Sequence, residues 1–278
     1  MSSISTDFAN YFGPWALIAG ASEGLGEAFA HEIAKKGINI ILVARRKELM
    51  EKLSQQLRQE YNVKTKIIQL DLASIDVLEK IKKETEQLEI GLMIYNAASS
   101  PIGLFYHFNL EQQNKVIDIN VKGPMIFTYY FGQLMKDRGK GGIILLSSLA
   151  GLQGDPYHAH YSATRGYTMN LAEALWYEMK KYGVHVMTCA AGATKTPNYI
   201  SSKPKRAGLI NPRPMDAKKV AKGSLKSLRK NKPYHYPGFS NKFNVFILRH
   251  LLSRKAAIKF LGNIANKMYG EDRDHVNK

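Results

Sequence analysis

The sequence predicts a doubly wound α/β fold: a parallel sheet between two helical layers (α/β/α), with a basic helical extension at the C-terminal end. Three observations carry that prediction. Short apolar runs alternate with amphipathic stretches of 12 or more residues along most of the chain, the pattern of strands joined by right-handed helical crossovers. Several runs, INIILVA at 38–44 among them with Asn39 its one polar residue, are near-continuously apolar instead of alternating, as strands buried on both faces are. A glycine-rich turn, AGASEGLG at 19–26, separates the first apolar run from the first amphipathic one.

Each element has a local reason. WALIAG (15–20) reads as a strand, and Gly24–Lys36 as a helix with Leu25, Ala28, Phe29 and Ile33 at helical spacing and Gly37 ending it. INIILVA is the second strand, Lys47–Tyr61 an amphipathic helix, TKIIQLD (65–71) a strand, and Ser74 to about Leu88 a helix. GLMIYNAA (91–98), a long helix Leu110–Lys136, GIILLSS (142–148), a helix Pro156–Tyr182 and VHVMTCAAG (184–192) continue the alternation. Thr194–Pro214 is rich in Pro, Lys and Ser and reads as a mobile lid over the ligand crevice. Asp216–Lys230 is a helix capped by Asp216. KPYHYPG (232–238) reads as an edge strand, because proline at its limits bars a central place. Residues 1–238 are thus expected to form the ligand-binding domain, with the lid at about 193–214, and 239–278 a basic amphipathic extension.

Composition narrows the class. The 278 residues, 45% of them apolar, suffice for a sizeable core. The single cysteine, Cys189, excludes an internal disulfide framework, and its place in VMTCAA marks a buried strand residue. No secretory signal opens the chain and no run is long enough to span a membrane, so a cytoplasmic location, free or at a membrane surface, is expected. Net charge is +17, and from Ser201 onward nineteen Lys or Arg face four Asp or Glu, which places +15 of it there. Such a tail suits an acidic partner. Nucleic acid is the weaker candidate, since no zinc spacing, helix-turn-helix or aromatic RNA signature accompanies it. His107, His158 and His160 lack partners at ligand spacing, so no metal site is expected. His158 and His160 stand close enough to Tyr161 to line the crevice, although solvated or structural roles are the preferred reading.

Gly20, Gly24 and Gly26 give the tight turn, the close backbone approach and the close helix packing that a pyrophosphate at a helix N-terminus requires. The second strand ends in VARR with no acidic residue. Arg45 and Arg46 are then free to grip a ribose 2′-phosphate through charge-assisted forks. NADP(H) is therefore expected over NAD(H), although Glu23 in the turn opposes extra negative charge.

Over about residues 11–238 the chain resembles the short-chain dehydrogenase/reductase family, whose fold is Rossmann-like. The glycine turn matches the family's, with Ala19 in place of threonine, and the resemblance sets Ser22 and Leu25 of that turn against the cofactor. Asp71 in QLDLAS resembles the adenine-side aspartate, with Leu72 beside it. YNAA keeps only Asn96 and Ala97 of the family's Asn-Asn-Ala-Gly. Asn120 in DINVKG stands where the family has a catalytic asparagine. Ser148 and Tyr161, thirteen residues apart, match its catalytic serine and tyrosine. AGATKT replaces proline by Ala191 but keeps Gly192 and Thr196, and Thr194 lies between them. The resemblance implies a carbonyl held between Ser148 and Tyr161, proton donation by Tyr161, steadying of the alkoxide by Ser148, and hydride transfer from the nicotinamide, or the reverse.

One position departs. The family places a lysine four residues after the tyrosine, and YSATRG puts Arg165 there. A tyrosine's reference pKa is near 10, and a cation within about 4–6 Å lowers an acid's pKa by about 1–3 units. Arginine keeps that charge and offers five donors to the cofactor's ribose. It is wider, however, and does not release a proton. Arg165 is expected to bind cofactor and sustain turnover on a fairly apolar ketone or secondary alcohol. The competing reading is a catalytically silent nucleotide-binding protein whose tail docks on a membrane or partner. In Asn241–Tyr269, Ile247, Leu251, Ile258, Leu261, Ile264 and Met268 share one helical face, to be covered by the body, a second subunit or anionic lipid. The resemblance also implies a homo-oligomer, a dimer or tetramer formed through the two long helices.

Overall fold

The computed structural model describes residues 3–202 and 214–273, with side chains from 7 to 202 and 214 to 270. The apolar runs become seven parallel strands: β1 (Trp15–Ala19), β2 (Asn39–Ala44), β3 (Thr65–Gln69), β4 (Ile90–Tyr95), β5 (Gly141–Ser148), β6 (Val184–Ala191) and β7 (Tyr234–His235). Their order is β3-β2-β1-β4-β5-β6-β7, so the winding reverses between β1 and β4. Registers such as Leu17↔Met93 and Leu17↔Ile41 flank the central strand.

Successive residues point to opposite faces, and both faces are covered. Ile18, Ile40, Leu42, Ile94 and Leu146 pack beneath α1 (Ser3–Phe12), α2 (Gly24–Ala34) and α3 (Lys47–Tyr61). Leu17, Ile41, Val43, Tyr95 and Leu145 pack on the other side, against α4 (Val77–Thr85) and the helices beyond it. Full burial of each aliphatic side chain contributes roughly 1.5–3 kcal/mol, which is why the central strands β1 and β4 are apolar or glycine at every position. Helix α1 did not show in the sequence pattern; Phe8 and Phe12, one turn apart, are buried against the first core.

The expected helix 110–136 is not continuous. It runs as α5 (Leu110–Ile117), a π turn at Asp118–Lys122, then α6 (Gly123–Arg138). Pro124 has no amide to offer the preceding turn, and the Gly123 amide reaches back to the Asp118 carbonyl. That leaves the Ile119 carbonyl without its helical donor, and the Tyr95 hydroxyl takes it at 2.8 Å. Burial pushes the Tyr95 phenol well above its ordinary range. A Cβ on Gly123 would lie 1.9 Å from the same hydroxyl, so the approach needs glycine. Tyr95→Phe strands a buried carbonyl at a cost of about 1–3 kcal/mol. The expected result is a Tm lower by several degrees in a thermal melt, with the fold retained.

Helix α7 begins at Ala159, later than Pro156, because Tyr157 is in the left-handed region with φ 64°; it extends to Lys180. After β6 come α8 (Pro197–Ser201) and α9 (Ala217–Arg229), the latter capped by Asp216, which accepts from the Lys219 amide. Residues 203–213 of the expected lid lie outside the described residues. The basic extension forms α10 (Phe239–Phe246), a π turn to Leu251, and α11 (Arg254–Arg273).

Candidate active site

At the carboxyl ends of the strands, where the winding reverses, lies a cavity of about 730 Å³. Its floor is the glycine turn. Gly20 has φ +84°, and a Cβ there would sit 2.6 Å from the Ala97 amide nitrogen. Asn96 donates its side-chain amide to the Gly20 carbonyl at 2.8 Å, so the end of β4 holds the turn in shape. Gly26 lies behind the turn and does not line the cavity; a Cβ on it would meet the Gly20 carbonyl oxygen at 2.1 Å.

Around the cavity stand Ser22, Gly24, Leu25, Arg45, Arg46, Asp71, Leu72, Asn96 and Ala97 at one end, and Ser148, Tyr161, Arg165, Gly192, Thr194 and Thr196 at the other. At the first end Arg46 is already engaged. Its guanidinium lies 2.8 Å from a Glu23 carboxylate oxygen and donates to Ser22 Oγ, also at 2.8 Å. Glu23 is thereby neutralised, and Arg45, exposed beside it, has no ion pair among the described residues.

At the second end Arg165 is 3% exposed. Ser147 Oγ donates to its carbonyl at 2.8 Å, and one guanidinium nitrogen donates to the Leu146 carbonyl at 2.8 Å. The guanidinium carbon lies 4.9 Å from the Tyr161 ring centroid. Arg165 therefore lies over the phenol ring, beside Tyr161 as its place four residues on implied. Nε and Nη2 are buried with no hydrogen-bond partner. Two unmet donors on a buried cation are costly unless a ligand accepts from them. Vicinal ribose hydroxyls are such acceptors. Together with the turn that has no room for Cβ atoms, this fits a nicotinamide dinucleotide.

Ser148 Oγ accepts from the Ala150 amide at 3.2 Å, which leaves its own hydrogen uncommitted. The Tyr161 hydroxyl makes no hydrogen bond to described residues and faces the cavity. Asn120 does not line it. Fully buried in the π turn, Asn120 clamps the Ser99 amide and carbonyl, both at 2.8 Å, and donates to Thr164 Oγ1 at 3.1 Å. It holds the loop after β4 against α7 one residue before Arg165.

Three further elements complete the wall; His158 and the 193–214 segment were expected at the crevice, while the α11 side chains and Asp155 were not assigned to it. Leu261, Ile264, Ala265 and Met268 of α11 supply an apolar side, fixed where the Tyr157 hydroxyl donates to Asn266 Oδ1 at 2.6 Å. Asn198 and Tyr199 of α8 close another. Asp155 and His158 also face in, with His158 Nδ1 3.5 Å from an Asp155 oxygen; the lone acid between Ser148 and Tyr161 was the available signal. His160 instead contacts Gln113 on α5. Cys189 is buried, its thiol pushed up to about 12 by burial, and Ser224 Oγ donates to it. Among the described residues no group of three His, Cys, Asp or Glu is placed to hold a metal ion.

Burial pushes the Asp155 carboxyl up to about 6 from 3.8. The folded state then binds the proton more tightly than the unfolded one. The associated stability is complete below about 3.8 and is lost as pH rises through about 6. Asp155→Asn is expected to raise Tm at alkaline pH, on a scale of about 2–4 °C per kcal/mol, and to change little in acid. Melts across pH check this.

A family model described as short chain dehydrogenase matches residues 14–207. The chain belongs to the short-chain dehydrogenase/reductase family, a family of oxidoreductases. It is 32% identical over 199 residues to the 7beta-hydroxysteroid dehydrogenase of Clostridium sardiniense, covering 71% of this chain and 76% of that protein. It is 31% identical over 199 residues to human 17-beta-hydroxysteroid dehydrogenase type 3, covering 70% and 64%. A structure solved to explain 7beta-hydroxysteroid dehydrogenase stereoselectivity superimposes with a TM-score of 0.86 at 26% identity, over 92% of this chain and 99% of that one.

Proposed function

We propose that the protein is an NADP(H)-dependent carbonyl reductase or alcohol dehydrogenase acting on a bulky, largely apolar ketone or secondary alcohol of hydroxysteroid size. The observation that carries this is the buried Arg165 guanidinium, stacked on Tyr161 with two donors unspent at the cavity. A bound nicotinamide dinucleotide supplies or accepts the hydride. The chain's residues do the rest. The glycine turn takes the pyrophosphate, Arg45 the 2′-phosphate, and Arg165 the ribose hydroxyls. Ser148 donates to the substrate oxygen, and Tyr161 gives it a proton on reduction or removes one on oxidation. The Arg165 cation beside the ring opposes the charge left on the phenol oxygen. Leu261, Ile264 and Met268 take the apolar body of the substrate, in keeping with the steroids named for two relatives.

On this reading the α11 part of the extension, residues 261–269, completes the substrate cavity of the 1–238 domain. A homodimer through α6 and α7 is the expected assembly, since Met125, Tyr129 and Tyr177 are 47%, 78% and 77% exposed there. The silent alternative gains nothing from the site, because the cleft is open and Tyr161 and Ser148 both face it. The test is consumption of NADPH, and separately NADH, with ketosteroids and with small ketones. Turnover of the bulky ketones with NADPH supports the reading, and none with either cofactor contradicts it.

A further inference from the structure

The C-terminal extension has a second apolar face that the cavity does not use. On α10, Phe239, Phe243 and Phe246 recur at i, i+4 and i+7, so they form one stripe. They are 84%, 55% and 52% exposed, whereas Val245 on the opposite side is 6% exposed and packs on the body. Leu251, at the end of the following π turn, is 65% exposed. The helix ends at Leu252, so Leu251 lies on a different helical segment from the cavity-lining Leu261, Ile264 and Met268. Neighbouring large apolar side chains left open to water mark an interaction surface.

The charge of the extension bears on what could cover that stripe. Lys242, Arg249, Arg254, Lys255 and Lys259 are all exposed. From Ala217 to Gly270 the sequence has thirteen Lys or Arg and no Asp or Glu. A second copy would bring the same cations to a self-complementary contact and be repelled. No helix among the described residues is long and apolar enough to cross a bilayer, so contact with lipid would be superficial. Aromatic side chains flanked by cations suit the boundary between anionic headgroups and acyl chains.

We propose that the α10 face docks on an anionic lipid bilayer, with Phe239, Phe243 and Phe246 entering the headgroup boundary and the flanking cations meeting lipid phosphates. The adjoining α11 presents its inner side to the cavity, so docking would set the cavity mouth beside a reservoir of apolar substrate. That last step rests on the proposed activity; the docking itself does not.

The test is flotation of the full chain with vesicles of phosphatidylcholine alone and of phosphatidylcholine mixed with phosphatidylglycerol. Flotation with the mixed vesicles only, weakening as salt rises, is expected. A Phe239→Ser, Phe243→Ser, Phe246→Ser variant should lose at least about tenfold in partitioning while its melting and NADPH binding stay as in the wild type. Lys255→Glu with Lys259→Glu should lose roughly fivefold or more per site. No flotation by the wild type, equal flotation with both vesicles, or an unchanged triple variant overturns the proposal. So does sedimentation showing that the triple variant dissociates an oligomer without altering flotation, which would make the face a contact between copies. Vesicle binding is read without turnover, so failure here and failure of the proposed activity are separable.

Discussion

Tyr161→Phe is expected to abolish turnover and leave NADPH binding and stability unchanged. The ring that stacks on Arg165 is kept, so the guanidinium stays in place. The lost hydroxyl has no described hydrogen-bond partner in the protein, and no fold contact goes with it. What disappears is the proton donor facing the cavity. General acid–base catalysis contributes about 10²–10⁴-fold, and a loss of that order in kcat with unchanged cofactor affinity is the expected signature. Steady-state NADPH consumption, a cofactor titration and a thermal melt check the three parts. A variant that retains more than about a tenth of wild-type kcat would assign the proton to another group.

Arg45→Ala is expected to weaken NADPH binding and leave NADH nearly unaffected. Hydrogen bonds to a charged group contribute about 1.5–3 kcal/mol, or about 10–150-fold in affinity. Arg45 is the uncommitted cation of the pair that ends β2. Arg46→Ala should cost less selectivity than its sequence position suggests, because its guanidinium is shared between Glu23 and Ser22. Removing it also frees the Glu23 carboxylate, so some loss comes from repulsion. Parallel titrations with both cofactors separate the effects.

Much of this was legible in the sequence because the signals were local. Strands buried on both faces read as continuous apolar runs, and a turn that must admit phosphate reads as glycines at fixed spacing. What escaped depends on distant partners. The π turn at Asp118–Lys122 is held by Tyr95, 24 residues before Ile119, and its proline reads in sequence only as an early-helix residue. Glu23 looked like an obstacle to a 2′-phosphate until Arg46 was found to neutralise it. The extension showed helical periodicity, but the break near Leu252 splits the expected face: Leu261, Ile264 and Met268 turn to the cavity and Leu251 to the outside. Asp155 carried no motif; its importance comes from burial beside His158.

The most direct check is the NADPH dissociation constant and bulky-ketone turnover of the wild type beside Arg165→Met, which keeps a long side chain but no charge or donors. A wild type that turns over, with a methionine variant that binds NADPH at least about tenfold more weakly and is nearly inactive, is the expected result. A silent wild type, or a methionine variant matching it in both affinity and rate, would contradict the role given to Arg165.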